Sequence, residues 1–261
     1  MSAATGPQPA VRLVLVHGSR LSHTQWDPQV RLLACDPSLA AGLEVVTPDL
    51  PGHGAGAAEP FTLDAAIDVI DAAVESASPS GRPAPSRVVV VGHSLGGYAA
   101  MAYAEAHPRR LDGLVLLSCA AVPRGVGAAA YRSVASLADR LGEVRMTTLD
   151  NRLLRRFYPP DVVEPIIAGG YYFAPTAAAW REVMARCGPW MLRAVSCPVL
   201  VAGGRYDQLM IHARRYAREA PQGRVVVIPR AGHFVGLDQP ERVTRLLADF
   251  ALSVPDGRLL A

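Results

Sequence analysis

The chain has 261 residues, of which 50% are apolar and 19% are charged, and its formal net charge is +3. So large an apolar fraction excludes an intrinsically disordered chain, and the length allows one large domain with an insertion or two small domains. The basic residues form no long run, since their densest cluster is Arg152, Arg155 and Arg156. We therefore expect no nucleic acid partner.

Nothing in the sequence indicates export or membrane insertion. Residues 1–10 lack the basic start and the apolar stretch of a signal peptide. No uninterrupted apolar stretch reaches the roughly 18 residues that a membrane span needs. The cysteines have neither metal-ligand nor redox spacing and are expected to be small buried residues in a reducing compartment: Cys35, Cys119, Cys187 and Cys197. The sequence therefore predicts a cytoplasmic monomer or homodimer that makes no membrane contact.

Short apolar runs alternate with helical patterns along the chain. The predicted strands are residues 12–16, 44–47, 88–91, 114–117, 199–201 and 224–228. Most are continuous Val, Leu and Ile runs, which are typical of strands buried on both faces of a parallel sheet. The predicted helices between them are residues 63–77, 95–106, 213–220 and 241–252. This alternation predicts an α/β fold, with a doubly wound, mostly parallel sheet of about six strands and helices on both faces.

One region breaks the alternation. Residues 123–191 contain no convincing strand but several amphipathic helical segments. An insertion of this size between two strands predicts a helical cap over the carboxyl edge of the sheet, where open α/β sheets bind their ligands. The expected division is a core of residues 1–122 and 192–261 with a cap of residues 123–191. Residues 78–86, rich in Pro, Ser and Gly, are expected to form an exposed loop.

The strongest chemical signal is the segment Gly92-His93-Ser94-Leu95-Gly96-Gly97. It follows the predicted strand 88–91 directly and opens the predicted helix 95–106. Strand, tight turn and helix form the setting that a nucleophile elbow requires, with Ser94 exposed at the turn. The helix also directs its free N–H groups and its dipole at the site, which favours developing negative charge. The alternative is an ordinary glycine-rich turn between a strand and a helix.

A serine becomes a good nucleophile only beside a base that a third group holds in place. Asp207 follows the predicted strand 199–201, and His233 follows the predicted strand 224–228. Both loops therefore lie at the same sheet edge as Ser94, in the chain order serine, acid, histidine. We expect His233 to be the general base and Asp207 to orient it.

Other assignments of the acid and the base are weaker. Residues 118–123, which follow the predicted strand 114–117, contain no carboxylate, and Asp238 lies only five residues past His233. The remaining histidines are expected to be structural or exposed, with His93 packed beside the nucleophile and His212 solvated.

These residues resemble the α/β-hydrolase superfamily, in particular its small capped members. The resemblance extends from Val11 to about Leu252. Besides the elbow and the loops of Asp207 and His233, the matching segments are His17-Gly18, Trp26 and Asp49-Leu50-Pro51-Gly52-His53-Gly54. The chain departs from larger relatives in that its first predicted strand begins almost at the N-terminus, so we expect the two leading strands of those relatives to be missing.

The resemblance implies an oxyanion hole built from the backbone N–H groups of Leu95 and Ser19. It also implies that Asp49 and His53 belong to a structural turn. Arg20 and His23 follow the oxyanion segment, where they would either contact a charged substrate group or be solvated.

The expected activity is hydrolysis of a carboxylic ester or lactone of an apolar or aromatic small molecule through an acyl-enzyme on Ser94. This chemistry requires no metal and no organic cofactor. The alternatives are a thioesterase or a carbon–carbon bond hydrolase or cyclase with the same triad, and a non-catalytic ligand-binding module. The candidate substrate contacts, several of which would otherwise serve packing, are Arg20, Trp26, His93, Tyr171, Tyr172, Trp180 and Phe234.

Overall fold

The computed structural model describes residues 11–77, 85–123, 125, 128 and 142–255. Within them, six strands form one sheet in the order β2-β1-β3-β4-β5-β6, and every neighbouring pair is parallel. The strands are β1 (Val11–Val16), β2 (Leu43–Val46), β3 (Arg87–His93), β4 (Gly113–Leu117), β5 (Val199–Gly204) and β6 (Gly223–Ile228). The predicted six-stranded parallel sheet is confirmed.

Helices flank the sheet and connect its strands. They are α1 (Asp27–Cys35), α2 (Pro37–Gly42), α3 (Leu63–Glu75), α4 (Leu95–Ala106), α5 (Glu143–Phe157), α6 (Pro160–Ala168), α7 (Thr176–Arg186), α8 (Ala213–Glu219), α9 (Val235–Asp238) and α10 (Pro240–Ser253). Local chemistry sets some of these starts. The hydroxyl of Thr62 accepts the N–H of Ala65, and the carboxylate of Asp36 accepts that of Ser38, so each side chain caps the helix that follows it.

The apolar strands supply two core layers because successive residues of a strand point to opposite faces. Val14 and Val90 pack in the layer that contains residues of α3, α4 and α7. Leu13 and Val89 pack in the opposite layer with residues of α1 and α10. Inner strands such as β1 and β4 are buried along their whole length, whereas the edge strands β2 and β6 are partly exposed. The helices on both faces make the sheet doubly wound, as predicted.

The described part of the chain between β4 and β5 is helical, as its sequence pattern indicates. Ile166 of α6 packs against Leu21, which follows β1, and Leu237, which follows β6. The helix therefore contacts the segments that follow β1 and β6 at the carboxyl edge of the sheet. Residues 124, 126–127 and 129–141 of the predicted cap, and most of the loop predicted at 78–86, lie outside the described residues. The division into core and cap stays a prediction.

Two further sequence expectations concern membranes and cysteines. Among the described residues, no helix has the length and apolarity that crossing a membrane requires. Cys119, Cys187 and Cys197 are buried, as expected. The expectation was wrong for Cys35, which is exposed at the end of α1. Its sulfhydryl lies on the outer side of an amphipathic helix, a position that cysteine spacing does not reveal.

Candidate active site

Ser94 occupies a strained turn between β3 and α4. Its backbone has φ 53° and ψ −116°, a conformation that residues with a side chain rarely adopt. Its N–H donates to Leu117 O at 2.9 Å, which fixes the turn to the end of β4. Gly92 makes the turn possible, since a Cβ at that position would overlap the carbonyl of Gly96. The local structure is thus the predicted strand, elbow and helix.

Three side chains from three loops meet at this turn. His233 Nε2 lies 3.1 Å from Ser94 Oγ, and His233 Nδ1 lies 3.1 Å from Asp207 Oδ1. Asp207 follows β5 and His233 follows β6, so the carboxyl edge of the sheet brings both to Ser94. The imidazole is placed to accept the serine proton at one nitrogen while its other N–H donates to the carboxylate.

The Asp207 carboxylate is 5% exposed and ionised. Burial by itself would raise its pKa, but the hydrogen bond and the charge of His233, together with further hydrogen bonds such as that from Leu209 N–H, outweigh burial, and the pKa is lowered. Asp207 Oδ1 also accepts the N–H of Leu209 at 2.9 Å. The carboxylate is therefore held as an anion that can stabilise a positively charged imidazole.

The segment after β1 approaches the elbow with its backbone held on both sides of Ser19. Gly18 N–H donates to Gln25 Oε1 at 2.8 Å, and Arg20 N–H donates to His53 Nε2 at 3.2 Å. No hydrogen-bond acceptor within the described residues engages the N–H of Ser19 or that of Leu95. The two N–H groups are therefore free to bind an anion such as an oxyanion, and their role in an oxyanion hole stays a prediction.

A network of buried histidines supports this segment. His17 Nε2 accepts the N–H of Leu50 at 3.0 Å, while its Nδ1 donates to Gly18 O at 2.8 Å. Burial, followed by the charge of His53, lowers the pKa of His17 to about 3. Asp49 accepts the N–H of His23 at 2.7 Å. Asp49 thus stabilises the backbone next to the turn at residues 49–54. His23 is hydrogen-bonded to this carboxylate.

The candidate substrate contacts divide into half-exposed and packed residues. Phe234 is 38% exposed beside the ring of His233. Tyr172 N–H donates to Arg20 O at 2.9 Å, and the Arg20 guanidinium lies 5.0 Å from the centre of the Phe173 ring. Tyr171 OH donates to Asn151 Oδ1 at 2.9 Å. These aromatic groups therefore lie next to the segment that contains Ser19.

The other three candidates are packed inside the protein. Trp26 is 1% exposed in the core, and Trp180 is 7% exposed with its ring edge-to-face on Tyr98. His93 is 2% exposed, and its Nε2 lies 2.9 Å from the backbone oxygen of His233.

Some structural roles had no signal in the sequence. Gln25 holds Gly18 N–H, although nothing distinguishes this glutamine from an exposed one. His212, which was expected to be solvated, is partly exposed, and its Nδ1 accepts the N–H of Val122 at 3.1 Å. In the part of the chain that the structure describes, no three His, Cys, Asp or Glu side chains group as metal ligands would.

The fold and the site define a hydrolase of the alpha/beta type, and the sequence profile of the alpha/beta hydrolase family matches residues 13–246. The chain therefore belongs to this family. It is 29% identical to the pimeloyl-[acyl-carrier protein] methyl ester esterase of Aromatoleum aromaticum, over 91% of this chain and 96% of that protein.

Two further comparisons bear on the activity. The chain is 26% identical to a 2-hydroxy-6-oxononadienedioate/2-hydroxy-6-oxononatrienedioate hydrolase of Pseudomonas putida, over 92% of this chain and 87% of that protein. The solved structure of a thermophilic esterase from Thermogutta terrifontis has a TM-score of 0.71 and 29% identity, and covers 95% of this chain and 92% of its own. Relatives of this chain are thus esterases and other hydrolases.

Proposed function

We propose that the protein is a serine hydrolase that cleaves a carboxylic ester or lactone of an apolar or aromatic small molecule. The observation that carries this proposal is the chain of two 3.1 Å contacts that joins Ser94, His233 and Asp207. A serine on a strained turn, a base and a buried carboxylate form the arrangement that acyl transfer needs. The similarity to two esterases supports an ester as the bond that is cleaved.

In the proposed cycle, His233 Nε2 accepts the Ser94 proton as Oγ attacks the substrate carbonyl carbon. The backbone N–H groups of Ser19 and Leu95 stabilise the oxyanion of the tetrahedral intermediate. His233 then donates its proton to the leaving alcohol, which departs and leaves an ester on Ser94. Water, deprotonated by the same imidazole, attacks this acyl-enzyme and releases the acid.

The substrate class follows from the groups around the site. Tyr171, Phe173 and Phe234 present aromatic surface near the oxyanion segment and the base. Aromatic side chains gain most from contact with an apolar or aromatic group. We propose that α5 and α6 act as a cap over this surface, since α6 packs on the loops that follow β1 and β6.

A second candidate is hydrolysis of a carbon–carbon bond. The Pseudomonas putida relative is named for substrates that carry hydroxy, oxo and dioate groups. None of these groups is an ester, so for such a substrate the attacked group would be a ketone at the same serine and base. Water adds to the ketone carbon, the adjacent carbon–carbon bond breaks, the carbonyl side leaves as a carboxylic acid, and the departing carbon takes up a proton from His233. A thioester remains a third substrate type, because the triad chemistry does not depend on the leaving atom.

The first experiment is reaction of the folded protein with a fluorophosphonate, which needs an activated serine and an oxyanion hole but no knowledge of the substrate. The adduct is located by peptide mass spectrometry in the wild type, in Ser94→Ala and in Ser196→Ala. Ser196 is the matched control. It is an exposed serine that precedes β5 and so lies at the amino ends of the strands, opposite the edge with Ser94. We expect an adduct on Ser94 in the wild type and in Ser196→Ala.

Turnover completes the test. A panel of an acetate ester, a lactone, a thioester and a 6-oxo dienoate separates the candidate substrates. We expect Ser94→Ala to lower kcat by about a million-fold on the preferred one. If the folded wild type neither forms the adduct nor hydrolyses any member of the panel, the serine hydrolase proposal is wrong and a ligand-binding role gains support.

A further inference from the structure

His93 lies at the end of β3, directly before the nucleophile, and has no part in the proposed proton transfers. Its ring is 2% exposed. Its Nε2 lies 2.9 Å from the backbone oxygen of His233. A carbonyl oxygen can only accept, so Nε2 carries the proton and donates it. The side chain next to the nucleophile is thus hydrogen-bonded to the backbone of the base.

The ring of His93 also touches the other loops of the site. It stacks on Phe234 with 6.1 Å between ring centres and an interplanar angle of 30°, and its centre lies 5.0 Å from that of the His233 ring. A Cβ built on Gly18 would come within 2.8 Å of His93 Nδ1. Gly18, in the segment that contains Ser19, therefore lies close against the Nδ1 atom of this imidazole.

The sheet alone does not hold the base against the nucleophile. In the order β3-β4-β5-β6, two strands separate β3 from β6. At the usual strand spacing this is a distance of about 14 Å. The loop of His233 must therefore fold back over two strands to reach Ser94, and the hydrogen bond from His93 joins this loop directly to the end of β3.

We infer that His93 is a positioning residue, whose Nε2–H fixes the backbone of His233 so that its imidazole stays in reach of Ser94 Oγ. This inference rests on the proposed function. The geometry at stake is the 3.1 Å contact between His233 Nε2 and Ser94 Oγ. A displacement of about 1 Å in such a contact lowers turnover by about a hundred-fold.

The electrostatic state of His93 suits this role. Burial, and after it the charge of His233, lowers the pKa of His93 to about 3. The ring is therefore neutral when the neighbouring His233 becomes positively charged during acyl transfer. A second cation at 5.0 Å between ring centres would oppose that charge.

The test compares three substitutions of His93. His93→Phe keeps a ring against Phe234 but removes the donor. His93→Gln places an amide N–H near the position of Nε2, whereas His93→Asn carries its amide near Nδ1 and does not reach the His233 carbonyl. We expect the Phe and Asn variants to lower kcat and the rate of fluorophosphonate labelling by about 10- to 100-fold, with KM changed less than about two-fold. The Gln variant should recover most of both rates.

A control separates positioning from general destabilisation. Tyr103→Phe removes a hydrogen bond to Asp71 from α4, away from the site, and should leave kcat and labelling unchanged while lowering the unfolding midpoint in urea. The inference is overturned if His93→Phe and His93→Asn label as fast as the wild type, or if His93→Gln is folded but as slow as they are. A folded wild type that neither labels nor hydrolyses any substrate of the panel would instead overturn the proposed function, and with it this inference.

Discussion

Acidification should destabilise the protein through histidines that the fold keeps neutral. His93 is the best case to measure, because its pKa falls from 6.5 to about 3 through burial and then through the charge of His233. Between these two values, the unfolded chain binds a proton at His93 and the folded protein does not. The free energy of unfolding therefore falls as the pH is lowered from 7 toward 3.

The size of this effect follows from the two pKa values. At pH 7 the unfolded histidine is mostly neutral, and at pH 5 it is almost fully protonated, while the folded ring is neutral at both. Proton linkage then gives a loss of about 2 kcal/mol between pH 7 and pH 5 from His93 alone. The pKa of His17 is also lowered to about 3, by burial and then by the charge of His53. Its protonation on unfolding should therefore lower the free energy of unfolding by a similar amount between pH 7 and pH 5.

The assay is urea unfolding followed by tryptophan fluorescence at pH 7 and at pH 5, at one ionic strength, for the wild type and His93→Gln. Glutamine does not titrate, so the variant lacks the contribution of His93 and retains that of His17. We expect the wild type to lose about 2 kcal/mol more than the variant over this interval. If the wild type and His93→Gln lost the same free energy of unfolding, His93 would be protonated in the folded protein at pH 5. The conclusion that His93 is a buried, neutral hydrogen-bond donor would then be wrong.

Two other substitutions test the site and the core. Asp207→Asn should lower kcat by about ten-thousand-fold with little change in KM, because an amide stabilises neither the charged imidazole nor the tautomer that catalysis needs. Steady-state kinetics measures this effect. A decrease in kcat below about ten-fold would contradict the assignment of Asp207 as the acid of the triad. Arg12, 1% exposed, donates to Glu44 Oε1 at 2.7 Å. Glu44→Gln removes the negative charge opposite that guanidinium and should lower the free energy of unfolding by about 3 kcal/mol. An unchanged midpoint of urea unfolding would contradict a stabilising ion pair between Arg12 and Glu44.

Much of the fold could be read from local pattern. The apolar runs at 88–91 and 114–117 lie within β3 and β4, and the helix predicted at 95–106 matches α4 at both ends. The strand limits shifted by a few residues because β3 and β5 continue through glycines that carry no apolar signal. Ser94 was predicted from the glycine-rich turn between β3 and α4. Asp207 and His233 were predicted from their places after two parallel strands, whose carboxyl ends meet at one edge of the sheet.

The rest depended on contacts between segments that are distant in the sequence. A tryptophan can pack in a core or contact a ligand, and the sequence does not distinguish these roles for Trp26 and Trp180. In the structure, each lies in one of the two core layers and is buried. Likewise, the sequence indicated that His93 packs beside the nucleophile or contacts the substrate, whereas its hydrogen bond to His233 O joins residues 140 positions apart.

The sequence by itself therefore determined the class of fold, the elbow and the order of the three side chains. These depend on hydrophobic periodicity and on glycine at the turn, which act over a few neighbouring residues. Tertiary structure alone decided which side chains are buried, which N–H groups stay available to an oxyanion, and how the loop of His233 reaches Ser94. Burial and hydrogen-bond partners are properties of the packed chain, because they depend on which loops fold over the same sheet edge.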